Sequence, residues 1–211
     1  EKMKVKGAAQ AIGTNSIYVP KGRIFNLELS DGTIVHLNSD SEFSFPSSFE
    51  GSDRREVHLV RGEAYFEVTP SRHNDNKAFV VVNSGQKIEV IGTEFNVKAY
   101  EGEPIATTLA EGKISLRTEA TKVFLSPGEQ SVVNRGNPSI EVSKVNISEI
   151  ISWKEGVFHF KDTSLKDLLK VLSRWYDVEI AFQSEGHLTE EKFNGVFSKK
   201  QDLTEILNII E

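Results

Sequence analysis

Arg61-Gly62-Glu63-Ala64-Tyr65-Phe66-Glu67-Val68 sets a turn residue, an alternating strand and two carboxylates side by side. After Gly62, Ala64, Phe66 and Val68 fall on one face, while Glu63, Tyr65 and Glu67 fall on the other. That period of two is the signature of a half-buried strand. Val90 to Tyr100 repeats the pattern, with Phe95, Val97 and Ala99 on one side. Toward the N-terminus, Ile24 to Leu29 and Thr33 to Leu37 flank Asp31-Gly32, which reads as a hairpin. Ser39 to Asp53 reads as a long loop pinned by Phe43, Phe45 and Phe49.

Downstream, short apolar runs recur from Val57 to Val145, and nearly every gap carries a glycine. Ten or more strands and no helix are expected there, stacked as a solenoid or, the less favoured alternative, closed as a two-layer sheet structure. The pattern changes near Ser152. Ser164 and Asp167 form a variant of the capping box ahead of Leu165, Leu168, Leu169, Leu172 and Tyr176, predicting a helix from Ser164 to Trp175. Val178, Ile180 and Phe182 alternate as a strand, Phe193 to Phe197 is another, and Asp202 caps a last helix. The expected fold class is therefore mainly β, with a large β domain over 18–152 and a small β-α-β-β-α domain over 153–211. Residues 1–17 read as a tether, and the last apolar stripe still runs at Glu211, so the second domain is expected to continue.

The chain has 211 residues, 38% of them hydrophobic and 27% charged, enough for a core and without the signature of disorder. It lacks a run of roughly 18 apolar residues, so no membrane span is expected within it. It has no cysteine, which excludes disulfides and thiol chemistry. The net charge of −6, with dispersed lysines and arginines, argues against nucleic acid as a partner.

No catalytic motif stands out. Glu63 and Glu67 on a regular strand lie roughly 13 Å apart at Cα, beyond the ~5–9.5 Å that paired carboxylates need for glycoside hydrolysis, and read as solvated. The five histidines lack ligand spacing, Ser71 to Lys77 lacks the acidic pattern of a calcium loop, and no glycine-rich phosphate loop or nucleophile elbow occurs. The reading is a non-enzyme with no catalytic, cofactor or metal residues. The aromatics Trp175, Tyr176 and Phe182, with Val178 and Ile180 beside them, are the candidate partner-binding residues, although core is the ordinary place for a Trp-Tyr pair.

Four phrases, Leu29 to Asn38, Gly62 to Val68, Ile91 to Val97 and Leu125 to Gln130, resemble in order and spacing the periplasmic region of FecR-type anti-sigma regulators. The stretch from Trp153 through Gly156, Phe160, Leu165, Leu168, Trp175, Tyr176, Val178 and Phe182 to Phe193 and Gly195 resembles that family's small C-terminal domain, itself similar to the short signalling domains of secretins and TonB-dependent transporters. The resemblance implies the periplasmic part of a single-pass inner-membrane protein. Its partners would be the signalling domain of an outer-membrane TonB-dependent transporter, an extracytoplasmic-function sigma factor held by a cytoplasmic segment outside this sequence, and regulatory proteases. A rival reading is a carbohydrate-binding β module using Tyr65 and Tyr100 as exposed stacking surfaces. A second rival, a glycan-processing enzyme, would need two carboxylates facing each other across a cleft.

Overall fold

The computed structural model describes residues 13–137, 139–181 and 192–210. Thirteen strands make up its first part: β1 (Thr14–Val19), β2 (Phe25–Glu28), β3 (Ile34–Leu37), β4 (Ser41–Pro46), β5 (Arg55–Glu67), β6 (Phe79–Asn83), β7 (Gln86–Val90), β8 (Glu94–Ala99), β9 (Ile105–Glu111), β10 (Ile114–Arg117), β11 (Lys122–Leu125), β12 (Glu129–Val133) and β13 (Ile140–Lys144). They form two packed layers that share one strand. The first half of β5 joins the sheet β1-β4-β5-β6-β7-β10-β11, and its second half joins β2-β3-β5-β8-β9-β12-β13. Only β5 and β6 pair in parallel among these strands.

Gly62 makes the exchange between sheets possible. Its φ of 103° lies where side chains are strained, and a Cβ there would sit 2.4 Å from Ser41 Cα. The β4 register shifts at the same place, between Glu42 and Phe43. A bulge at Val60, followed by the left-handed Gly62, thus turns what reads as two short strands into one bent strand crossing from layer to layer. The two-layer alternative is the one realised, and solenoid stacking is not. The expected loop from Ser39 to Asp53 is also corrected: Ser41–Pro46 is strand β4, paired with both β1 and β5. Its serines and proline obscure an alternation in which Phe43 points inward.

Inside the layers, Phe66 stacks on Phe95 at 5.0 Å and tilts against Phe43 and Phe79. Phe43, Phe66, Phe79 and Phe95 are fully buried with Val35, Leu37, Val57, Leu59 and Leu109. Truncating any of these phenylalanines to alanine would remove about 3–5 kcal/mol of stability. At one end Arg55, wholly buried, holds Asp31 at 2.7 Å, donates to the Thr69 and Lys77 carbonyls and lies over the Phe79 ring.

The connection out of the sandwich carries a helix that the sequence reading did not foresee, α1 (Ile147–Ile151), followed by a 3₁₀ turn over Ser152–Glu155. Asn146 caps α1 by accepting the Ser148 N–H. Then come β14 (Val157–Ser164), α2 (Leu165–Tyr176), β15 (Lys192–Ser198) and α3 (Leu203–Ile210). Ser164 accepts the Asp167 N–H at the start of α2, and Asp202 accepts from Thr204 before α3, as the capping pattern predicts. β14 and β15 pair antiparallel, and Phe158, Phe160, Leu168, Leu172, Phe197 and Ile206 form a core separate from that of the sandwich.

The expected strand from Val178 to Phe182 is a second correction. Asp177 takes a left-handed conformation, Val178 N–H closes back on the Ser173 carbonyl, and Val178 to Ala181 run without strand pairing, while Phe182 lies outside the described residues. Among the described residues the order is β-α-β-α. Alternation of three apolar residues did not suffice: past the Asp177 cap the segment follows the end of α2, and Ile180 packs on the C-terminal core without joining a ladder.

Candidate interaction site

The alternating face of β5 that the sequence reading assigned to solvent is covered. Tyr65 is 1% exposed and Glu63 is 8% exposed, because the 3₁₀ turn and the C-terminal unit lie over them. Lys154 Nζ sits 3.6 Å from the Tyr65 ring centroid, and the Tyr65 hydroxyl donates to Glu94. Burial first, then this bond, raises the Tyr65 pKa well above its usual value. Glu67 accepts from His36 Nε2 and pairs with Lys154 at 3.5 Å. Tyr100 is buried as well, donating to the Ser39 carbonyl. Neither Tyr65 nor Tyr100 can serve as an exposed sugar-stacking platform, which removes the motive for the carbohydrate reading.

Glu63 is the centre of a relay between the two units. Its carboxylate accepts from Asn38 Nδ2 at 2.8 Å and Asn96 Nδ2 at 3.0 Å. Each amide then presents its oxygen to the other unit or its connector. Asn96 Oδ1 accepts from Trp153 Nε1 at 3.2 Å, and Asn38 Oδ1 accepts from Lys199 Nζ at 3.3 Å. β5, β8 and the segment after β3 supply the receiving groups from positions opposed across the sheet, since Tyr65 pairs with both His36 and Asn96. Lys199 is itself 7% exposed, with its ammonium 4.3 Å from the Trp175 ring, 5.5 Å from Phe158 and 5.9 Å from Trp153. Burial lowers its pKa to about 8, with Glu63 pulling in the opposite direction.

A second set of contacts lies beside the relay. Arg174 pairs with Glu103 and covers the Tyr100 ring at 4.0 Å, and Glu103 also holds Lys98 at 3.0 Å. Burial alone would raise the Glu103 pKa, but Lys98 and Arg174 outweigh it and leave it lowered. Gly22 N–H donates to the Arg174 carbonyl, and Lys21 meets Asp177 at the rim. Between the units is a cavity of ≈ 310 Å³ bordered by Glu63, Asn96, Lys98, Trp153, Arg174 and Lys199.

Of the candidate partner-binding residues, Trp175 donates to the Lys199 carbonyl at 2.9 Å and Tyr176 to the Gln201 carbonyl at 2.6 Å. Both are half-buried against the C-terminal core, where Ile180 also packs. Val178 follows the helix cap, and Phe182 lies outside the described residues. Among the described residues, the large apolar side chains this unit exposes are Val196, at 62%, and Ile209, at 63%. Among the described residues no three His, Asp or Glu side chains gather as a metal ion would require. No helix among them is long and apolar enough to cross a membrane.

The sequence profile described as FecR protein matches residues 15–115, and the one described as FecR, C-terminal, matches residues 157–211. The chain belongs to the FecR family. Two crystal structures of a candidate anti-sigma factor from Parabacteroides distasonis ATCC 8503, at 1.65 Å and 2.50 Å resolution, share this fold. Each has a TM-score of 0.83 at 29% identity, over 93% of this chain and 90% of theirs. A comparison with curated proteins found no match. This FecR-type anti-sigma factor is thus mainly β, with β1 to β9 of the sandwich in the first profile and the small α+β unit in the second.

Proposed function

We propose that this FecR-family chain is the periplasmic signal-receiving region of a membrane-spanning anti-sigma regulator. In this reading the β sandwich over 18–152 is a scaffold, and the unit over 153–211 receives the signalling domain of a TonB-dependent outer-membrane transporter. A cytoplasmic segment holds the extracytoplasmic-function sigma factor, and regulatory proteases complete the relay. The role is contact rather than catalysis. The observation that carries the reading is the succession of the two FecR profiles along one chain. The β14–β15 pair adds physical support, because a two-stranded sheet leaves main-chain groups on its outer edges for an added strand.

The partner surface is proposed on the C-terminal unit, around Trp175, Tyr176, Val178, Ile180 and Phe182, extended by the exposed Val196 and Ile209. Titration calorimetry of the 211-residue chain with the transporter's signalling domain tests it. Saturable binding, weakened about tenfold or more by Val196→Asp or Ile209→Asp, is the expected result. Binding that is undiminished in both variants and in Trp175→Ala would reject this surface.

A further inference from the structure

The contact between the two units is of a different kind from the contacts within each. The sandwich and the C-terminal unit have separate apolar cores, and the seam between them is made of charge, amide and aromatic contacts. Arg174 with Glu103, Gly22 with the Arg174 carbonyl, Lys21 with Asp177 and Lys199 with Asn38 supply the links from the C-terminal unit. Polar seams of this type behave like transient interfaces, for which relative motion of the parts is the default.

Lys199 occupies the least settled position in the seam. Its ammonium has three donors, and the bond to Asn38 Oδ1 is its one hydrogen bond within the described residues. The nearest carboxylate in the relay, Glu63, is one amide away rather than in contact. Three aromatic faces partly compensate the lost water, but a buried charge without direct ionic pairing still costs free energy. The Asn38 oxygen, by contrast, would keep the Ser39 N–H if the amine were gone.

We propose that the C-terminal unit docks reversibly on the sandwich, and that Lys199 is the catch that keeps the docked state weak enough to open. Trp153 and Lys154 stay on the sandwich through Asn96, Glu67 and Tyr65, so the unit after Gly156 is the part that leaves. Opening uncovers the cavity, the Trp175 indole and the Glu63 relay, and joins a contact on the C-terminal unit to a change at the sandwich. The inference concerns the chain alone and does not depend on which partner binds.

The chain has no cysteine, so spin labels at Glu28→Cys and Glu205→Cys, both exposed positions on opposite sides of the seam, report the separation without background. Pulsed dipolar spectroscopy should find two distance populations at neutral pH. Lys199→Met should move the ratio toward the short distance by about tenfold, as expected when a buried, indirectly paired charge gives way to an apolar side chain of similar length. Arg174→Ala should move it toward the long distance. Gly22→Ala should do the same, because its Cβ would meet the Trp175 carbonyl at 2.8 Å. Circular dichroism of each variant establishes that both units remain folded. A single short distance, unchanged in all three variants, would overturn the proposal, as would lengthening by Lys199→Met.

Discussion

At the scale of single residues, two positions fix the geometry of the sandwich. Gly62 lets β5 change layers, and Gly62→Ala must place a methyl group against the Ser41 backbone in a strained conformation. A loss of about 3 kcal/mol or more is expected in denaturant unfolding, combining backbone strain with the clash. Arg55 and Asp31 form a buried pair whose partner groups cannot be rehydrated. Arg55→Met leaves Asp31 buried with its Thr33 bonds only, and should cost about 3–5 kcal/mol in the same assay. Gly62 was legible as a turn residue, but not as a point of close approach within a strand, because the residue it meets is Ser41, twenty-one positions away. Glu63, which reads as solvated, and Tyr65, which reads as an exposed stacking surface, are both buried for a related reason. Alternation tells which residues share a face, and says nothing about whether a later part of the chain will cover it.

Among the elements, the helices were the most legible and the irregular strand the least. Ser164 and Asp202 announce α2 and α3 through local capping, and the leucine stripe of α2 points into its own core. Ser164→Ala removes the acceptor for the Asp167 N–H and should lower the thermal stability of the C-terminal unit by about 1 kcal/mol. α1 escaped notice because five residues carry too little period to register, although Asn146 caps it. β4 escaped because Ser41, Ser44 and Pro46 dilute its alternation. The segment from Val178 to Ala181 shows the opposite error, since an alternating pattern does not make a strand without a ladder, and here Ile180 packs on the C-terminal core without pairing to β14 or β15. Of the aromatics that stand out in sequence, Trp175 lies under Lys199 in the seam and Tyr176 packs on the C-terminal core. The relay through Asn38, Glu63, Asn96 and Lys199 was not legible, because it joins positions up to 161 residues apart.

At the scale of the molecule, the seam between sandwich and C-terminal unit should respond to pH through Lys199. The titratable groups that border the same cavity include Glu63 on β5, Lys98 on β8, Glu149 on α1, His159 and Lys161 on β14, and Asp167 and Arg174 on α2. The docked amine has its pKa lowered from 10.5 to about 8, so between these values the undocked state binds the extra proton. Docking therefore strengthens as pH rises from about 8 toward 10, and the gain is lost as pH falls through about 8. Above about pH 10 the buried Tyr65 and Tyr100, whose raised pKa values disfavour phenolate in the folded state, reverse the trend in overall stability. The label-to-label distance distribution at pH 7 and pH 9.5 checks the first part, and Lys199→Met should abolish the difference.

The proposed function puts the signal on the C-terminal unit and the scaffold role on the sandwich, and nuclear magnetic resonance addresses that division most directly. The transporter's signalling domain would be added to isotopically labelled chain and the amide shifts followed residue by residue. The account predicts that the first and largest changes fall within residues 157–181 and 192–210, with smaller changes reaching Asn38, Glu63 and Asn96 across the seam. Changes confined to the sandwich strands, with the C-terminal unit silent, would contradict it.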